Sequence, residues 1–193
     1  MKGRKHITRF TIVMVMAVLA VGVFAGAALA TDASPAAVGG TLTLGPLQID
    51  SITAVTFGSE ALTGRAKTFT ATGASGTFIV TDATGSGAGY HIQATRSALT
   101  AGGHTLDGTF AMPAAVVTTV DSGSSTTGPV PAAQGSMTAG TAYTIASAAV
   151  NTGMGSYNLT FGADDHKLTM GITADDYVGI YSGTLTISTV SGP

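Results

Sequence analysis

The sequence predicts an all-β fold: an antiparallel β-sandwich of Greek-key, immunoglobulin-like type, following an N-terminal signal helix. Three observations predict it. First, short runs alternate with a period of two. Phe78 and Val80 alternate with Thr77, Ile79 and Thr81, and Tyr90, Ile92 and Ala94 alternate with His91, Gln93 and Thr95. That spacing puts one set of side chains on a buried face and the other in water. Second, clusters of Gly, Asp, Asn, Ser and Pro separate the runs, as in Asp82-Ala83-Thr84-Gly85-Ser86-Gly87-Ala88-Gly89. Third, no window after the signal keeps apolar residues at spacings of three and four, so almost no helix is expected there.

Residues 1–30 read as a signal peptide. Lys2, Arg4, Lys5 and Arg9 form a basic start, an uncharged apolar run follows from Phe10 to Ala27, and Ala28-Leu29-Ala30 supplies the small residues of a cleavage site. Cleavage is expected after Ala30. The competing reading is an uncleaved anchor, because the apolar run is long enough to span a bilayer. Residues 31–39 form a flexible leader. Residues 40–193 form a single domain, with strands expected at 41–47, 52–57, 67–72, 77–81, 90–95, 105–112, 116–120, 142–150, 157–161, 168–173 and 184–190. Thr and Val suit these runs because a branched Cβ packs on a pleated surface. Gly-Thr steps at 40–41, 76–77, 108–109 and 183–184 mark a turn ending and a pleat beginning, at unequal spacings that exclude a repeat array. Residues 121–140 are rich in Ser, Thr, Gly and Pro and are expected to form a mobile loop over one end of the sandwich.

Charge narrows the function. Once the signal is removed, Arg65, Lys67, Arg96 and Lys167 face ten Asp and Glu residues. Without a basic patch, nucleic-acid binding is not expected. After cleavage no membrane segment is expected either. The chain has no Cys, so a thiol nucleophile, a disulfide framework and a cysteine-linked lipid are all excluded.

Catalysis finds little support. No Ser sits in a Gly-x-Ser-x-Gly elbow. His91 points away from Tyr90 and Ile92, and His104 and His166 sit beside turn residues, so all three read as surface histidines. The Asp164-Asp165 and Asp175-Asp176 pairs lack the alternating spacing of a Ca²⁺ loop and read as turn formers, so no metal and no cofactor is expected. Gly85, Gly87 and Gly89 precede a strand with no Lys-Ser/Thr, so they do not make a phosphate loop. Asn158-Leu159-Thr160 is a sequon inside an expected strand, which gives it little weight.

Binding is the better class. Exposed aromatic faces and short polar side chains hold sugar polymers. Tyr90, Tyr143 and Tyr157 begin alternating strands and belong to the core with their hydroxyls near its rim. Tyr177 and Tyr181 lie near the Asp175-Asp176 turn and are the surface candidates.

Four segments carry a family resemblance. They are Gly40-Thr41-Leu42-Thr43, Phe57-Gly58, the stretch from Thr81 through the glycine-rich connection to Tyr90, and Tyr181-Ser182-Gly183-Thr184-Leu185-Thr186. With the signal peptide, they make the chain similar to the WxL family of secreted Gram-positive surface proteins. The family's two Trp-x-Leu motifs are replaced here by Tyr90-His91-Ile92 and Ile187-Ser188-Thr189, and the chain has no Trp. The resemblance implies non-covalent attachment to the cell wall through peptidoglycan, without catalysis. It makes Tyr90, Ile92 and Ile187 binding candidates beside Tyr177 and Tyr181; those positions either fill the core or grip the wall. The implied partners are a cell-wall polymer and other surface proteins, and the implied location is the wall or outer cell surface. The alternative is a structural subunit of a surface fibre or extracellular matrix, assembling through exposed strand edges.

Overall fold

The structure is a computed structural model that describes residues 41–192 apart from 51, 74–75, 107 and 163–165. The expected signal helix and cleavage site, the leader, and Asp164 and Asp165 lie outside the described residues. The chain divides after Leu42, and Thr43–Pro193 form one compact unit.

Thirteen strands run through the described residues, with no α-helix among them. One four-stranded sheet is ordered β1 (Leu47–Ile49), β3 (Phe78–Asp82), β11 (Gly155–Thr160) and β8 (Val116–Thr119). A second is ordered β13 (Leu185–Ser191), β4 (Tyr90–Arg96), β10 (Ala142–Ala148) and β9 (Val130–Pro131). A smaller third sheet joins β2 (Lys67–Thr70), β12 (Thr169–Ile172) and β7 (Phe110–Ala111), and β5 (Thr100–Ala101) pairs with β6 (His104–Thr105). Every named ladder is antiparallel.

The period-two pattern explains how the sheets stack. On β3, Phe78, Val80 and Asp82 point inward, and on β4 Tyr90, Ile92 and Ala94 do the same. Beside them in the same two sheets, Tyr157 and Leu159 of β11 pair with Val80 and Phe78, and Ala146 and Ala148 of β10 pair with Ile92 and Tyr90, all buried in one cluster. β1 lies beside β13 and β8 beside β9, so the sheets meet at both edges. The third sheet adds Phe110, Met170 and Ile172 to the same core. This is the antiparallel sandwich the alternation predicts.

Several runs differ from expectation for local reasons. The run at 41–47 becomes a strand only at Leu47. Pro46 cannot donate to a ladder, and the Gly45 N–H reaches the Ala83 carbonyl at 2.9 Å in an irregular exchange. The run at 52–57 is not a regular strand, yet Thr53 exchanges hydrogen bonds with Thr77 and Gly76, and Phe57 bridges Ala71. The run at 105–112 breaks into β6 and β7 around Gly108. β5 and β9 escape prediction because two residues are too few for any alternation to register. The segment at 121–140 contains β9, a Met112–Gln134 bridge and a fully buried Met137.

The glycine-rich connection turns β3 into β4. Gly85, Gly87 and Gly89 all hold positive φ, at 63°, 63° and 76°. That conformation is costly for residues with a Cβ. Space then separates them: a Cβ on Gly85 meets nothing within 4 Å, whereas one on Gly89 would lie 2.5 Å from the Ala148 carbonyl oxygen. Gly85→Ala should therefore cost about 1 kcal/mol, and Gly89→Ala about 3 kcal/mol from strain plus overpacking. Urea midpoints of the two variants check this, and equal losses would contradict the contact argument.

Candidate functional site

The described residues enclose a groove of about 880 Å³. One wall is the irregular segment 52–62, the other is the loop 176–185 that leads into β13. Phe57, Phe69, Leu99, Leu106, Phe110 and Met170 make its lining largely apolar. Phe57 and Phe110 meet edge to face with centroids 6.2 Å apart, an arrangement favoured by the ring quadrupoles. The Arg96 guanidinium stands 5.6 Å from the Phe110 ring centroid.

The 176–185 loop is fastened at several points. The Thr173 N–H donates to Asp176 Oδ2 at 2.6 Å, which is the turn role expected of that aspartate. The Tyr181 hydroxyl donates to the Tyr177 carbonyl at 2.8 Å and so closes the loop on itself. Ser182 and Thr100 exchange backbone hydrogen bonds at 3.0 and 3.1 Å, and Ser97 Oγ accepts from the Thr184 N–H at 2.8 Å. His104 stacks flat on Tyr177, with centroids 3.8 Å apart and planes 14° from parallel. Between these ties, Val178 and Ile180 stand 90% and 94% exposed. The tethered loop thus displays two apolar side chains to solvent.

The structure brings two of the five sequence candidates to the groove. Tyr177 is exposed and Tyr181 half-buried, and both line it. Tyr90 and Ile92 are fully buried on the central strand β4 and show no surface to a polymer in this fold. The Tyr90 hydroxyl donates to the Gly153 carbonyl at 3.2 Å. Burial, with smaller contributions from Tyr157 and Asp82, pushes the Tyr90 phenol well above its ordinary pKa. Ile187 is half-buried on β13, where it packs against the core opposite Ala94. The two segments that replace the Trp-x-Leu motifs are thus neighbours in one sheet: Thr189 pairs with Ile92 and Ser191 with Tyr90.

Sequence reasoning missed Arg96, Phe57 and Phe110. They are far apart in the chain, and only pairing of the sheets makes them neighbours. The usable signal was Tyr177-Val178-Gly179-Ile180-Tyr181, an apolar run directly after a turn and without strand alternation. Arg96 is half-buried, and that burial lowers its pKa from the ordinary value, with Tyr143 acting in the opposite direction. Among the described residues no three His, Asp or Glu side chains gather as a metal-binding group.

No curated protein and no solved structure matches the chain. A family model described as a surface cell wall-binding WxL domain matches residues 29–191. That span takes in both core sheets, the third sheet and the groove. The chain belongs to the WxL family of surface domains that bind the cell wall, and its place is the cell surface.

Proposed function

We propose that this protein holds peptidoglycan non-covalently and without catalysis, with the groove beside Tyr177 and Tyr181 as its contact. The observation that carries this reading is the open, largely apolar groove bordered by a fastened loop of exposed Tyr177, Val178 and Ile180, in a chain of a wall-binding family. An excess of acidic residues gives no general attraction to anionic wall polymers. Retention then depends on shape, ring contacts and a few directed hydrogen bonds. The same reading has the chain exported, cut after Ala30 and retained at the wall as residues 31–193.

Incubated with purified cell walls, the exported protein should sediment with them at low salt, and mild chaotrope should release it. A double substitution of Tyr177 and Tyr181 by Ser should lower the bound fraction at least tenfold while far-ultraviolet circular dichroism stays unchanged, because neither ring belongs to the fully buried core. Protein that stays in the supernatant, with and without Ca²⁺, would sink the wall reading. Growth of particle size with concentration in that case would favour the matrix subunit.

A further inference from the structure

Two features of the groove argue about which part of a wall polymer it takes. The first is polarity. A glycan strand presents a hydroxyl or amide on almost every ring carbon. Apolar walls such as Phe57, Phe69 and Leu106 would leave many of those groups without partners, at a cost for each. A short peptide rich in methyl groups has far more apolar surface to bury there.

The second feature is charge. Glu60 lines the groove and is ion-paired with Lys67. Asp176 also lines it and takes its own loop's Thr173 N–H. Arg96 differs. Its Nε donates to the Met137 carbonyl at 2.7 Å and its Nη1 to the Ser97 carbonyl at 3.2 Å. No carboxylate pairs with it and its Nη2 has no hydrogen-bond partner among the described residues. The two carbonyls and the Phe110 face hold the guanidinium in place, so little side-chain freedom remains to be lost when a ligand arrives. A half-buried, oriented cation with donors to spare is suited to an anion with two acceptor oxygens.

We propose that the groove binds the peptide stem of the wall polymer, with a stem carboxylate on Arg96 and the methyl-bearing part of the stem against Phe57 and Phe110. This rests on the wall-binding reading above and names its ligand: a short peptide bearing a free carboxylate, in preference to the bare glycan.

The test uses the exported chain and three soluble probes in calorimetric titrations: a muropeptide (disaccharide with its peptide), the same muropeptide with its carboxyl groups amidated, and a peptide-free chito-oligosaccharide. The muropeptide should bind, amidation should weaken it at least tenfold, and the oligosaccharide should give no measurable heat. Arg96→Gln should lose at least tenfold toward the free muropeptide and nothing further on amidation, while Arg96→Lys should recover part of the loss. Because Arg96 also ties the Met137 carbonyl, variants are compared at matched folded fraction, and the amidation arm needs no variant at all. If the amidated probe or the oligosaccharide binds as tightly as the muropeptide while walls still sediment the protein, the stem proposal is overturned and wall association stands. If walls do not sediment the protein, both readings fall.

Discussion

Tyr90→Ala should destabilise the protein by about 4 kcal/mol, a large part of the roughly 5–15 kcal/mol that holds a typical domain folded. Tyr90 is fully buried at the start of the central strand β4 and sits among Phe78, Tyr157 and the alanines of β10 within one core cluster. Truncation removes a ring from a packed interior, and the neighbouring strands are held by ladders on both sides, Ser191 of β13 and Ala148 of β10, so they cannot close the gap freely. Tyr90→Phe separates the ring from its hydroxyl. It keeps the volume and leaves the Gly153 carbonyl without its 3.2 Å partner, which should cost about 1 kcal/mol. Urea unfolding checks both values. The folded fraction of Tyr90→Phe should sediment with walls as the unaltered protein does. A variant that kept its stability and lost the wall would show that Tyr90 reaches the polymer, against its place in the core.

The second large effect is expected at Gly108. A Cβ there would lie 1.6 Å from the Gly171 carbonyl oxygen and 2.2 Å from its carbon. Both atoms are backbone, so no side chain can swing aside. Gly171 belongs to β12 and donates to the Thr109 carbonyl at 2.7 Å, and Met170 next to it pairs with Phe110. Gly108→Ala must push β7 away from β12, which breaks that bond and lifts Phe110 out of the groove lining. A loss of about 3 kcal/mol or more is expected. Gly171→Ala is the internal control, since its Cβ would approach Thr109 N only to 3.1 Å and a small backbone shift would relieve it. Urea midpoints should fall much further for Gly108→Ala than for Gly171→Ala, and wall binding of the former should fall with the groove. Equal, small losses would mean that the crossing of these two strands yields easily.

The alternation around Tyr90 and Phe78 was legible because a strand with one buried face writes its environment directly into every second residue. The turn at 82–89 was legible for a related reason: left-handed backbone there demands Gly, and Gly is what stands there. Of the two tyrosines read as surface residues from a turn signal, Tyr177 is exposed, whereas Tyr181 is half-buried and packs against the core. The loss of regular pairing at 52–57 and 105–112 was not legible. At 52–57 isolated exchanges with Gly76, Thr77 and Ala71 stand in place of a ladder, and at 105–112 Gly108 approaches Gly171 closely, a contact between residues more than sixty positions apart.

By itself, then, the sequence determined the class of fold, the inward residues of the main strands, the constrained turn and the family. Each of these is carried by local periodicity, local backbone preference or a short run of neighbouring residues. Only the tertiary structure decided which residues form the groove. It placed the two motif segments side by side on β4 and β13, sent Tyr90 and Ile92 inward, and set Arg96 against Phe110 in a groove shared with Phe57 and Tyr181. Strand pairing is non-local: a register between β4 and β13 is chosen by the total burial of both faces and not by either strand alone. A site assembled from such pairings therefore has no signature within any one stretch of the chain.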